Sequence, residues 1–162
     1  MSTHSDSQLV LIQAALSKAY VFAGATPEEI RCLAEAAEWV VLEPGTAVLK
    51  EGELADALYV LAAGRFVVKE SFYATMELVI ARINPGDLVG ELAFIDRQPA
   101  SASVRSDGAA EVVRLSYDSI QRVFKALPSL ESKFQRELIH TLASRIRRGN
   151  QGLRDAIMGA RR

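Results

Sequence analysis

The chain has 162 residues, enough for one domain that buries roughly two-thirds of its unfolded surface. Hydrophobic residues make up 49% and charged residues 24%, an ordinary globular balance, and no run approaches the ~20 apolar residues a spanning helix needs. The formal net charge of −1 gives no overall field to draw in nucleic acid, and the single cysteine, Cys32, excludes an internal disulfide.

The first segment, MSTHSDSQLVLIQAALSKAYVF, lacks the basic start and long apolar core of a signal peptide, so a cytoplasmic location is expected. Leu9, Ile12 and Leu16 recur at helical spacing and predict an amphipathic helix over 6–18. A sharper start follows at Thr26-Pro27-Glu28-Glu29. Thr26 can cap, proline suits the first helical position, and Glu29 sits where a capping box places its acid. Ile30, Leu33, Ala34 and Ala37 mark one face of this short helix, and Cys32, in the setting EIRCLAEAA, is expected to be a buried structural thiol.

From Trp39 the pattern changes to short β-branched or apolar runs punctuated by Pro44-Gly45, Gly52 and Gly64. A further strand is predicted over 76–83, followed by a turn at Asn84-Pro85-Gly86, and AEVVRLS is one more, preceded by a turn at Asp107-Gly108. About eight short strands at this spacing indicate a barrel or sandwich. The last third returns to helix. SYDSIQRVFKALP predicts a helix from a Ser116 cap to Pro128, and SLESKFQRELIHTLASRIRRGN a second from a Ser129 cap. Leu130, Phe134, Leu138, Leu142 and Ile146 lie four residues apart along it, a stripe suited either to packing on the roll or to a partner helix. The fold expected is mainly β with flanking α: N-terminal helices over 1–37, a β-roll of jelly-roll type over 38–116, and C-terminal helices with a basic tail over 117–162.

Residues 86–106, GDLVGELAFIDRQPASASVRS, carry the one motif with specific chemistry. Gly90 is followed by Glu91-Leu92-Ala93-Phe94-Ile95, a candidate helix of a turn and a half. Glycine lets backbone N–H groups converge on an anion, and a helix start adds its positive end. Glu91 there can accept from a ribose hydroxyl. The plainer alternative is a turn followed by an acid that favours a helix N-terminus.

The joint pattern INPGDLVGELAFI…QPASASVRS resembles the phosphate-binding cassette of the cyclic nucleotide-binding domain family, which includes the catabolite activator protein and protein kinase A regulatory subunits. The upstream LEPGTAVLKEGELADALYVLAAGRFVV is similar as well, in its glycines Gly45, Gly52 and Gly64 and its run Leu58-Tyr59-Val60-Leu61. The resemblance extends from residue 20 to residue 145 and implies a β-roll with a short helix in the cassette. It implies that the backbone of Gly90, Leu92 and Ala93 lines the phosphate and that Glu91 binds the ribose 2′-hydroxyl. By the same resemblance Ser101 stands against the phosphate, with Ser103 a hydroxyl-bearing position two further on. The departure falls at Ala100, where most members have the arginine that faces the phosphate. Truncating one partner of a buried charged pair costs roughly 2–5 kcal/mol, so the lower half of that range weakens binding about 30- to 300-fold if nothing replaces the cation. Arg97, where related domains often have glycine, is the candidate compensating cation, with an exposed turn residue as the alternative. Arg105 lies an odd number of residues from Ala100 and would face the other side of a regular strand.

Two readings stay open. The first is a non-enzymatic regulatory module that binds cAMP or cGMP with weakened affinity and signals to a partner protein through its last helix. The second is a degenerate fold without nucleotide, acting as a protein-interaction module or a homodimer through residues 129–148. Histidine occurs only at His4 and His140, neither in the β region, so no strand-borne metal site or serine–histidine pair is expected, and no cofactor. Residues 129–162 carry eight Lys or Arg against three acids, read as a solvated helix end. Only residues 149–162 follow Arg147-Arg148, too few for a helix-turn-helix, so neither specific nucleic acid nor membrane is expected as a partner.

Overall fold

The computed structural model describes residues 5–72 and 76–160; His4, Arg161 and Arg162 lie outside them. Helix α1 (Asp6–Lys18) starts from Ser5, whose hydroxyl accepts from the Gln8 N–H, and it buries Ile12 and Leu16. A single 3-10 turn, Tyr20–Phe22, leads to α2 (Pro27–Glu35). The predicted capping box is present: the Glu29 N–H donates to Thr26 Oγ1 at 3.2 Å, and the Thr26 N–H donates to Glu29 Oε2 at 2.8 Å. Ile30, Leu33, Ala34 and Ala37 form the buried face. Cys32 is exposed, not buried. At 100° per residue it stands on the far side of α2 from that apolar face, so helix geometry overrides the residue's apolar character.

Eight strands follow: β1 (Glu38–Leu42), β2 (Ala47–Leu49), β3 (Ala57–Ala63), β4 (Phe66–Phe72), β5 (Met76–Ile83), β6 (Leu88–Val89), β7 (Ser103–Ser106) and β8 (Ala110–Ser116). Helix α3 (Glu91–Asp96) lies between β6 and β7. The strands form two four-stranded antiparallel sheets, ordered β1-β8-β3-β6 and β2-β7-β4-β5. The first sheet is covered on both faces, which explains its unbroken apolar runs. In β3, Leu58 and Val60 join the core under the helices, while Leu61 joins the core inside the roll. Val113 and Leu115 of β8 divide from Val112 in the same way. In the second sheet β5 is an edge, and Met76 to Arg82 are exposed on both of its faces.

The chain closes with α4 (Tyr117–Ala126) and α5 (Pro128–Gly159). Ser116 caps α4 as expected, accepting from the Ser119 N–H at 3.1 Å. Ser129 does not cap α5. Pro128 already occupies the first helical turn, Leu127 is the N-cap, and the Ser129 hydroxyl donates instead to Glu29 Oε1 at 3.0 Å. Lys133 Nζ reaches Glu29 Oε2 at 2.8 Å, so the α2 capping box also fixes α5. Glu29 is correspondingly held below the ordinary carboxylate range, first by the Lys133 hydrogen bond. Leu130, Phe134 and Leu138 are buried against the chain's own core, whereas Ile146 is exposed. Helix α5 continues through Gly149 and Gly152 for 32 residues, on the order of 48 Å at 1.5 Å per residue, where a basic tail was expected.

Candidate ligand-binding site

The cassette is held in place by the chain's own contacts. Gly90, the N-cap of α3, has φ 94° and ψ 0°, in the left-handed region. A Cβ at this position would stand 2.5 Å from the Ala57 carbonyl oxygen of β3, so only glycine permits the approach. The Tyr117 hydroxyl donates to the Gly90 carbonyl at 2.8 Å. Burial pushes the Tyr117 phenol up to about 12, so it keeps the proton it donates at ordinary pH. The first-turn N–H groups of α3 have no carbonyl one turn earlier to bond, which leaves them available to an acceptor.

Beside this helix start lies a cavity of about 550 Å³, within the roughly 300–1,000 Å³ usual for small-molecule sites. Gly90, Glu91, Leu92, Ala93, Ala100 and Ser101, six of the residues expected at the site, all line it. Ala100 is fixed by backbone bonds in both directions: its N–H donates to the Glu53 carbonyl at 2.9 Å and its carbonyl accepts from the Gly52 N–H at 2.8 Å. Ser103 does not line the cavity; its hydroxyl accepts from the Glu51 N–H at 3.0 Å. Arg97 lies outside it too. This residue ends α3 with φ 58°, and its guanidinium sits 5.6 Å from the Phe94 ring centre and 5.2 Å from that of Tyr117. It borders a separate groove between α3 and α5 and does not stand in for the missing cation at residue 100. Arg105 also points elsewhere, donating to the Gly45 carbonyl at 3.4 Å.

The far wall of the cavity was not anticipated. Arg82 of β5 and Thr141, Arg145 and Arg148 of α5 line it. Glu91, 5% exposed, accepts from Arg145 Nη1 at 2.9 Å, which ties the cassette helix directly to α5. Tyr20 is packed beside this pair; its buried hydroxyl has no hydrogen-bond partner of standard geometry among the described residues, although Thr141 is adjacent. Burial raises the Tyr20 phenol to about 12. Positions 141, 145 and 148 share one helical face, a signal present in the sequence but meaningful only once the path of α5 is known.

Residues 39–126 match the family model of the cyclic nucleotide-binding domain. The chain is 28% identical over 142 residues to a CRP-like cAMP-activated global transcriptional regulator of Mycobacterium tuberculosis, an alignment covering 88% of this chain and 62% of that one. It is 36% identical over 91 residues to a cAMP-dependent protein kinase regulatory subunit of Yarrowia lipolytica, covering 56% of this chain and 24% of that protein. It thus spans less than two-thirds of the length of these curated relatives. Among solved structures, a cyclic nucleotide-binding domain from Methylobacillus flagellatus superposes with a TM-score of 0.75 at 25% identity, covering 88% of this chain and 80% of that one. The catabolite activator protein of Thermus thermophilus gives a TM-score of 0.72 at 25% identity, over 83% of this chain and 62% of its own. These matches bear out the β-roll with flanking helices, and this chain belongs to the cyclic nucleotide-binding domain family.

Proposed function

We propose that the chain is a non-enzymatic regulatory module that binds a cyclic nucleotide, cAMP or cGMP, in the cavity at Gly90–Ala93 and signals through α5. One observation carries the reading: the ion pair of Glu91 and Arg145 joins the cassette to the signalling helix inside the cavity itself. A ribose hydroxyl donating to Glu91 competes with Arg145 for the same carboxylate. An occupant therefore changes how α5 is held, and α5 carries that change to a partner protein. The N–H groups at the start of α3 suit the phosphate, and the fixed backbone at Ala100 shapes the opposite lip.

Calorimetric and thermal-shift titration with cAMP and cGMP tests the reading, with Ala100→Arg as a control for the shape of the site. Heat and a raised melting temperature are expected for the natural chain at or below millimolar nucleotide. Silence at millimolar nucleotide, alongside binding by Ala100→Arg, overturns the reading.

The second reading, a homodimerisation module without nucleotide, is favoured by the outer face of α5. Ile139, Ile146 and Leu153 are each more than half exposed and recur every seven residues, the spacing of a two-stranded coiled-coil seam. The interface in that case is centred on 139–157, not on 129–148, because Leu130, Phe134 and Leu138 are already buried within the chain. Sedimentation of the natural chain against Ile146→Glu/Leu153→Glu decides it.

A further inference from the structure

We infer that Tyr20 is a positioning residue of the site: its hydroxyl has no partner while Arg145 holds Glu91, and it pairs with Thr141 of α5 once an occupant takes Glu91. This rests on the cavity being a cyclic nucleotide site, and it adds which group outside the cassette responds when Glu91 is taken.

Tyr20 opens the 3-10 turn that follows α1, and the turn is tied down around it. Val21 and Phe22 are buried, and the Phe22 ring stands 5.6 Å from that of Phe134 in α5, centre to centre. The Tyr20 N–H donates to the Gly86 carbonyl at 3.3 Å. The Tyr20 hydroxyl oxygen is itself buried and makes no hydrogen bond among the described residues, an exception to the rule that buried polar groups are paired. With its phenol raised to about 12 by burial, it keeps its proton at ordinary pH and is a donor lacking an acceptor. Thr141 is the hydroxyl beside it, one helical turn before Arg145 on the same face of α5. An unmet buried donor weighs against the arrangement that leaves it unmet.

The ion pair is what keeps the two hydroxyls apart. Leu138 is the last buried residue of α5, and beyond it Arg145–Glu91, at 2.9 Å, is the one side-chain hydrogen bond from this helix to another element among the described residues. That bond sets the position of the second half of α5, with Tyr20 and Thr141 side by side but unpaired. A ribose hydroxyl donating to Glu91 releases Arg145, and the half-helix then settles where the Tyr20 hydroxyl donates to Thr141 Oγ1. The hydroxyl therefore favours the occupied arrangement of α5 over the one with the ion pair intact.

Melting curves of the full chain test the pairing without any ligand, with circular dichroism establishing that each variant is folded. In the natural chain Tyr20→Phe removes an unmet hydroxyl, so the melting temperature is expected to stay level or to rise by up to about 4 °C. In Arg145→Ala/Glu91→Gln no ion pair holds α5, and adding Tyr20→Phe is expected to lower it by about 2–4 °C, the loss of one hydrogen bond. Thr141→Val, which removes the acceptor, is expected to erase that loss. A drop of more than about 2 °C for Tyr20→Phe in the natural chain shows a hydroxyl already partnered and overturns the inference. So does the lack of a drop in Arg145→Ala/Glu91→Gln, or a drop that survives Thr141→Val. Calorimetric titration with cAMP and cGMP then reads the effect on binding, where Tyr20→Phe is expected to weaken affinity about tenfold. A Tyr20→Phe variant that binds as tightly as the natural chain overturns the inference and leaves the cyclic nucleotide reading intact. If the natural chain binds neither nucleotide, that reading fails, and the melting comparisons decide the pairing of Tyr20 with Thr141 by themselves.

Discussion

Replacing Arg145 with alanine removes the polar link between the cassette and α5 and leaves a buried charge without its partner. The Glu91 side chain is 7% exposed and that of Arg145 35%. Removing one member of a fully buried pair costs about 3–5 kcal/mol, and the water reaching Arg145 lowers that to about 2 kcal/mol. Glu91→Gln acts differently. It removes the buried charge, and the guanidinium, already near the surface, turns into solvent, so about 1 kcal/mol is expected. In Arg145→Ala/Glu91→Gln no buried charge remains, and the double variant costs less than the sum, with a coupling of about 1–2 kcal/mol. Urea unfolding followed through Trp39, the single tryptophan, measures all four proteins. The Arg145→Ala loss corresponds to a melting temperature lower by about 4–8 °C for a chain of this size. The reasoning is refuted if Arg145→Ala unfolds within about 0.5 kcal/mol of the natural protein, the range of ordinary surface substitutions. A greater cost for Glu91→Gln than for Arg145→Ala refutes it equally.

Three further outcomes follow from the same geometry. Gly90→Ala places a methyl 2.5 Å from the Ala57 carbonyl in a left-handed conformation, so a loss of about 3 kcal/mol or more is expected in urea unfolding, together with loss of nucleotide heat. Glu29→Gln is destabilising at neutral pH. Because the Glu29 carboxyl is depressed in the folded chain, its contribution is present above the ordinary glutamate value and fades as pH falls through the folded one, so the two proteins converge in acid. Tyr117→Phe loses the bond to the Gly90 carbonyl and about 1 kcal/mol at neutral pH. The natural phenol titrates near 10 unfolded and at about 12 folded, so its contribution holds below pH 10 and disappears toward pH 12. The variant lacks that term, and melting curves from pH 9 to 12 show the gap closing.

The features legible in the sequence are those set by neighbours along the chain. Thr26 and Glu29 form their capping box within one turn, Ser116 caps α4 three residues from its donor, and Gly90 opens a short helix as its position implies. Cys32 was legible too, had its angle on the helix been weighed above its apolar character. Ser129 was not, because its partner Glu29 lies 100 residues away and only the packing of α5 on α2 joins them. The cavity divides along the same line. Its cassette wall is local, and the residues expected there line the cavity as far as Ser101, while Ser103 is drawn to the Glu51 N–H by the pairing of β7 beside β2. Its arginine wall is assembled by tertiary structure: Arg82 looks like any strand residue, and Arg145 and Arg148 look like a basic tail until α5 is seen to cross the cassette.

Gly90 also determines what the cassette helix can do mechanically. Its backbone is pressed against β3, and its carbonyl is tied to Tyr117, so the start of α3 is the fixed point of a short lever. The free arm ends at Arg97, a non-glycine residue in the left-handed region that is held by two aromatic rings rather than by the sheet. Phe94, midway along the arm, stands edge-on to Phe134 of α5 with ring centres 6.1 Å apart. The two ends of α3 are thus anchored by different means, its start by backbone against the sheet and its far half by aromatic packing that includes α5.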